Sequence, residues 1–218
     1  MVRSERAHLR RVAFAVFHLF AKTVYKVLFS VKIIDEKLIP RNEALIFLSN
    51  HVSNMDPVIV GLAVPEELHY MAKKELFGNI LFRWLIVAFR AFPIRRGAID
   101  RKAQRRALEI LDKGESLLTF PEGTRGNGID IQPAKAGVGM LVYKAKKRVV
   151  PVLITGAEKV MPRGSRFFRL RHLEVKFGRP LQLEDYFKMP RERGTYELIA
   201  EEITRGLKAL QVRQKDIG

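Results

Sequence analysis

Ala44-Leu45-Ile46-Phe47-Leu48-Ser49-Asn50-His51-Val52-Ser53-Asn54-Met55-Asp56-Pro57 is the stretch that decides the fold. Its first six residues are a continuous apolar run, the pattern of a strand buried on both faces, and such strands belong to sheets covered by helices. Asp56-Pro57 then reads as a helix start, with Asp as the N-cap and Pro at the first helical position, where a missing N–H is harmless. A buried strand followed by a loop and a helix places that loop at the carboxyl edge of the sheet, where open α/β sheets hold ligands. On this loop His51 and Asp56 form a pair with the chemistry of a general base and its orienting carboxylate. An imidazole, with an ordinary pKa of about 6.5, takes a proton near neutrality, and a fixed carboxylate selects its tautomer and stabilises the imidazolium. An isolated pair at this spacing is weak by itself.

The alternation of strand and helix continues in both directions. Further strands are expected over 32–37, 69–72, 92–95, 116–120, 149–155 and 173–177. Helices are expected from about 57 and over 76–89, 99–111, 136–146 and 196–212. This order predicts an α/β fold: a single mixed, largely parallel sheet covered by helices. The apolar segment 76–89 contains Arg83, which at the centre of a bilayer-spanning helix costs about 2.5–3.5 kcal/mol, so it reads as a core or groove-lining helix.

Before the sheet, Arg3, Arg6, Arg10 and Arg11 precede an uncharged run from Val12 to Ala21. This superficially resembles a signal peptide, but no small-x-small cleavage site follows, and Lys22 and Lys26 interrupt the run before it reaches the roughly 20 residues of a spanning helix. On a helical projection Arg11, His18, Lys22 and Lys26 share one side, and Leu9, Ala13, Val16, Phe17, Phe20, Val24, Val27, Leu28 and Val31 the other. Such a face can pack on the domain or lie in a membrane interface, and phenylalanine opposite arginine and lysine is the pattern of a monotopic helix. The expected organisation is therefore residues 1–37 as an N-terminal amphipathic membrane-interface helix and its lead-in, followed by an α/β domain over 38–218.

The chain has 218 residues, 47% of them hydrophobic, enough for one domain with a sizeable core. Its formal charge of +17 calls for a polyanionic partner: nucleic acid, an anionic membrane surface or a phosphorylated substrate. The absence of cysteine excludes disulfides, thiolate zinc sites and a cysteine acyl-enzyme. His8, His18, His69 and His172 show no ligand spacing with His51, so no metal site is expected.

Two further strand ends carry chemistry. Phe120-Pro121-Glu122-Gly123-Thr124-Arg125 supplies a carboxylate, a turn glycine and a guanidinium, the natural fork for a phosphate; read blandly, it is a surface turn with a solvated Glu-Arg pair. Ala91-Phe92-Pro93-Ile94-Arg95-Arg96-Gly97 again sets arginines after a short apolar strand.

Together these blocks resemble the glycerophospholipid acyltransferases, particularly the bacterial enzymes that acylate lysophosphatidic acid. The resemblance covers residues 45–156. His51 to Asp56 matches the family's histidine-four-aspartate block, Phe92 to Gly97 its second block with Arg96 at the arginine position, and Phe120 to Arg125 its third. Val149-Val150-Pro151-Val152 is similar to the proline-centred fourth block, and Lys135-Ala136-Gly137 to the Lys-x-Gly that commonly follows the third. Arg90 stands where glycine often precedes the second block, and Gly126 where serine often follows the third.

The resemblance implies transfer of a fatty acyl group from acyl-CoA or acyl-carrier protein to the free sn-2 hydroxyl of 1-acyl-glycerol-3-phosphate, giving phosphatidic acid without a cofactor. His51 would be the base and Asp56 its partner. Arg96, Glu122, Gly123, Arg125 and Lys135 would bind or shape the acceptor, and N–H groups at the helix start near Asp56 would face the oxyanion. Glycerol-3-phosphate or another lysolipid is the alternative acceptor. Direct transfer is favoured because there is no Gly-x-Ser-x-Gly elbow, and Ser53 is the one tempting nucleophile. Membrane phospholipids are the expected partners, at the cytoplasmic face of the cell membrane, by peripheral or monotopic attachment.

The rival class is a nucleic-acid-binding protein, motivated by the charge, by Lys144-Ala145-Lys146-Lys147-Arg148 and by Arg166-Phe167-Phe168-Arg169-Leu170-Arg171. No zinc-finger, RNP or basic-zipper pattern accompanies these runs, and anionic lipid accounts for the same charge. No nucleic-acid partner is expected.

Overall fold

A computed structural model describes residues 30–78, 90–95, 100–160 and 171–215, together with 23, 86 and 169. The amphipathic segment read at the N-terminus, Arg96, most of the helix read over 76–89 and most of the 166–171 run lie outside the described residues.

Seven strands form one sheet: β1 (Val31–Ile34), β2 (Ile46–Ser49), β3 (Leu68–Lys73), β4 (Ala91–Ile94), β5 (Ser116–Thr119), β6 (Val149–Thr155) and β7 (Leu173–Phe177). Their order is β1-β7-β6-β2-β5-β3-β4. Only β6 and β7 pair antiparallel; the other neighbours run parallel. The α-helices with described bounds are α1 (Asp56–Ala63), α2 (Arg101–Asp112), α3 (Ala136–Ala145), the single turn α4 (Ala157–Val160) and the closing α5 (Arg193–Lys215). The expected mixed, largely parallel sheet is thus present, and residues 31–34 of the expected lead-in form its edge strand beside β7. Lys74–Gly78, which includes the start of the helix read over 76–89, is 3-10 helix.

Because neighbouring residues of a strand point to opposite faces, the apolar run of β2 feeds two cores. Leu45 and Phe47 pack with α1 residues Ile59 and Val60 and with Val150, Val152 and Phe177. Ile46 and Leu48 pack on the other face with Ala103, Ala107, Leu141, Val142, Ile199 and Ile203. Phe47 is fully buried and meets Phe177 edge-on at 6.4 Å between ring centroids. Each large side chain buried in this way contributes about 1.5–3 kcal/mol.

The helical layer over the second face closes through a glycine. A Cβ on Gly139 in α3 would lie 1.9 Å from the carbonyl oxygen of Tyr196 in α5, so only glycine permits this approach. Asp100 starts α2 by accepting the N–H groups of Lys102 at 3.0 Å and Ala103 at 3.1 Å.

Topology fixes where the site must lie. From β2 the chain crosses through α1, on one face, to β3; from β5 it crosses through α3, on the other face, to β6. The adjacent strands β2 and β5 therefore send their connections in opposite directions. The loops leaving their carboxyl ends flank a crevice, the topological switch point at which α/β sheets bind ligands. No helix among the described residues is long and apolar enough to cross a membrane.

Candidate active site

Asn50 ends β2 with a side-chain clamp. Its amide nitrogen donates to Ile154 O at 2.9 Å and its amide oxygen accepts Ile154 N–H at 2.8 Å. The side chain thus replaces one more rung of the β2–β6 ladder, and the backbone is free to leave the sheet at His51.

His51 Nδ1 lies 2.7 Å from Asp56 Oδ2, with both residues buried. The same oxygen accepts Val52 N–H at 2.6 Å and Ser53 N–H at 2.8 Å. Three donors thus converge on one carboxylate oxygen, while Asp56 Oδ1, also buried, has no hydrogen-bond partner among the described residues. With Nδ1–H turned toward Asp56, Nε2 is left as the basic nitrogen. The imidazole stacks on Phe120, with 4.2 Å between centroids and 21° between planes, which sets the ring's tilt.

Two expectations about this loop change. Asp56 is the first residue of α1, with Met55 at the N-cap position, and its carboxylate turns back to the loop instead of forward to the helix. The reason is the curl of 51–53, which aims two N–H groups at one oxygen. The oxyanion role expected of the helix start meets the same obstacle, because Val52 and Ser53 N–H are committed to Asp56, Asp56 N–H bonds Ser53 O at 3.3 Å, and Pro57 has none. Ser53 is fully buried and its Oγ accepts Met55 N–H at 3.3 Å, a turn-forming duty.

The loop after β5 grips His51 from behind. Glu122 Oε1 accepts His51 N–H at 3.2 Å, and Gly126 N–H donates to His51 O at 2.7 Å. Both polar groups of the His51 backbone are thereby held by the loop that carries the third sequence block, and the imidazole by Asp56 and Phe120. Glu122 is 4% exposed, and its Oε2 has no hydrogen-bond partner among the described residues. Burial, reinforced by the nearby Asp56 charge and opposed by the His51 N–H bond, pushes the Glu122 carboxyl up to about 7. A cavity of about 340 Å³ opens beside it, lined in part by Asn50, Val52 and Gly126.

Gly123 adopts φ +72°, and a Cβ there would lie 3.0 Å from both Cε and Nζ of Lys135. The Lys135 side chain therefore lies across the Gly123 turn, while its backbone N–H bonds Pro121 O at 3.0 Å and closes the 121–135 loop. Arg125 is half-buried directly before Gly126, whose N–H holds His51. In the second block, Arg95 N–H bonds Asp100 Oδ2 at 2.9 Å at the end of β4. Here a cavity of about 490 Å³ is lined by Lys74, Arg95, Arg101 and Lys102. The structure thus brings together His51, Asp56, Glu122, Gly123, Arg125 and Lys135 on the adjoining loops after β2 and β5. Among the described residues no group of three or more His, Asp or Glu is placed to hold a metal ion.

The Acyltransferase family model matches residues 30–155, which contain this whole constellation. The chain belongs to the acyltransferase family. It is 33% identical over 156 residues to a 1-acyl-sn-glycerol-3-phosphate acyltransferase of Streptococcus pneumoniae, covering 71% of this chain and 56% of that protein. It is 27% identical over 176 residues to the Bacillus subtilis protein of the same name, covering 78% and 85%. The crystal structure of the 1-acyl-sn-glycerophosphate acyltransferase of Thermotoga maritima matches with a TM-score of 0.74 at 26% identity, over 94% of this chain and 83% of that one. The chain spans little more than half the length of the pneumococcal relative.

In this member of the acyltransferase family, Arg90 takes φ +55°, the left-handed conformation that glycine adopts freely. Its guanidinium pairs with Glu67 and, at 3.7 Å, with Glu115. These groups lie before β3, β4 and β5, at the amino edge opposite His51, so arginine in place of glycine bears on stability and leaves the catalytic edge untouched. The residues that sequence reasoning missed are Asn50, Phe120 in its stacking role, and the Gly126 N–H. Asn50 and Gly126 sit directly beside recognised blocks, but their work is done by pairing across about 70–100 positions of chain, for which a linear pattern holds no signal.

Proposed function

We propose that this chain is a 1-acyl-sn-glycerol-3-phosphate acyltransferase that works by direct transfer from an acyl thioester. The observation that carries the reading is the buried His51–Asp56 pair at 2.7 Å, held at the carboxyl edge with Nε2 as the available base. Nε2 removes the proton of the sn-2 hydroxyl as that oxygen attacks the thioester carbon. The tetrahedral intermediate collapses with loss of the thiolate, which takes the proton from the imidazolium, so that one ester and one free thiol result. Asp56 remains ionised and stabilises the imidazolium during the cycle.

The burial of Ser53 supports direct transfer over an acyl-enzyme. Arg125 and Lys135, with Arg96, are assigned to the acceptor phosphate, which orients the hydroxyl at His51; Gly123, by lacking a side chain, lets the Lys135 side chain lie across the turn. Acyl-CoA and acyl-carrier protein both fit the donor role. The basic amphipathic N-terminus is assigned to the membrane interface, at the cytoplasmic face where the lysolipid acceptor and anionic phospholipids are met.

The test is a panel of acceptors and donors with purified protein, following free-thiol release by wild type and His51→Ala. Release dependent on 1-acyl-glycerol-3-phosphate and on His51 is expected. No release with any lysophospholipid sinks the enzyme reading. Flotation with liposomes before and after removal of residues 1–31 tests the anchor, which is wrong if the truncated chain floats as well.

A further inference from the structure

Between α2 and α3 the surface is concave. Gln104 Nε2 donates to Gly137 O at 2.8 Å and ties the two helices together near their amino ends. Below this tie lies a groove of about 630 Å³ with half-buried Leu108 and Met140 on its floor and Arg101, Arg105 and Lys144 on its walls.

Some of the surface cations are neutralised locally. On α5, Arg193 pairs with Glu197 and Arg205 with Glu202 within one turn. Arg101, Arg105 and Lys144 have no acidic partner among the described residues. Three unneutralised cations around an apolar floor suit an acidic helix laid into the groove. A flat lipid surface is a poorer match for a concave site.

Orientation links the groove to the chemistry. Both helices begin at the carboxyl edge of the sheet, α2 at Asp100 after β4 and α3 at Lys135, which lies across Gly123. Arg101 lines both this groove and the basic cavity at the end of β4. A basic path therefore leads from the groove to the strand ends that hold the catalytic loops.

We propose that the α2–α3 groove docks a small acidic carrier protein, which delivers the acyl chain as a thioester on a phosphopantetheine arm. This rests on the thioester-dependent transfer proposed above and commits that reaction to a protein-borne donor. The arm's phosphodiester passes the Arg95, Arg101 and Lys102 cavity, while the carrier's acidic helix covers Arg105 and Lys144.

The experiment compares palmitoyl-acyl-carrier protein and palmitoyl-CoA as donors, with thiol release as the readout, for wild type, the double variant Arg105→Glu/Lys144→Glu, and a control of equal charge change, Arg193→Glu/Arg205→Glu. Binding of unacylated carrier protein is titrated in parallel. The groove variant is expected to raise KM for the carrier-borne donor and the carrier's dissociation constant by about tenfold or more, as loss of complementary charge does at protein interfaces. Its kinetics with palmitoyl-CoA stay within about twofold of wild type, which also reports intact folding, and the α5 control behaves as wild type with both donors. Equal effects on both donors, equal effects of the α5 control, or no binding of carrier protein by wild type overturns the proposal. Parallel loss of anionic-vesicle binding and of both activities also overturns it, by assigning the groove to the membrane. Carrier binding that depends on Arg105 and Lys144, with thiol release from neither donor, defeats the proposed reaction while leaving the docking surface standing.

Discussion

Glu122 Oε1 accepts the backbone N–H of His51 at 3.2 Å, so the acidic residue of one sequence block holds the base of another by its main chain. The link runs across two adjacent parallel strands, β5 and β2. It makes the position of the imidazole depend on a carboxyl group that is itself nearly water-free.

That carboxyl should shape the pH dependence of stability. Its native pKa of about 7 lies above the ordinary value of 4.5, so between these the native state holds a proton the unfolded chain has released. Stability from this group is fully present below about pH 4.5 and is lost as pH rises through 7, a swing on the order of 3 kcal/mol. Glu122→Gln, whose amide oxygen still accepts the His51 N–H, should remove this component. Urea unfolding at pH 5 and pH 7.5 measures it; an unchanged difference between the two pH values in the variant would place the titration elsewhere.

His51→Ala should lower kcat by about 10²–10⁴, the usual worth of a general base, because Nε2 disappears while the backbone clamp to Glu122 and Gly126 remains. Ser53→Ala should retain most of the turnover. Capture of an acyl-enzyme on Ser53 after rapid quench would reverse this assignment.

Asp56→Ala should damage fold and rate together. It removes the acceptor for Val52 N–H, Ser53 N–H and His51 Nδ1–H inside a buried loop, at a cost of about 2–5 kcal/mol. Denaturant midpoints read beside kcat should show Asp56→Ala falling in both and His51→Ala chiefly in kcat. Equal stability of the two variants would mean that the loop holds its shape without the carboxylate.

Asn50→Ala should cost about 2–4 kcal/mol by leaving Ile154 N–H and C=O unpaired at a buried strand end. Since His51 is the next residue, kcat should also fall, with a smaller change in KM. A variant with wild-type kcat and lowered stability would confine Asn50 to the fold.

Gly139→Ala should prevent the packing of α3 on α5, since the new methyl would meet the Tyr196 carbonyl at 1.9 Å. The loss should be about 3 kcal/mol or more, the upper range of overpacking. Thermal unfolding measures it, and a melting temperature within a few degrees of wild type would show that the helices can slide apart.

Much of the sheet was legible because the strands announce themselves in one dimension. The runs at 149–155 and 173–177 coincide with β6 and β7, and the apolar run into Ser49 with β2. Helix ends were less legible: Asp56 has the composition of an N-cap, yet its carboxylate faces backward because the 51–53 loop offers better-aligned donors. No pattern in the chain specifies which way a loop curls.

By itself the sequence determined that buried strands alternate with helices and that His51, Asp56, Glu122 and Arg125 stand at strand ends, because strand burial and loop placement follow from local hydrophobic pattern. Only the tertiary structure decided that β5 inserts beside β2, which seats Phe120 under the imidazole and turns Glu122 and Gly126 toward the His51 backbone. Strand order depends on the packing of helices over both faces at once, and hydrogen bonds between residues about 70 positions apart exist only after that packing has brought their loops to one edge.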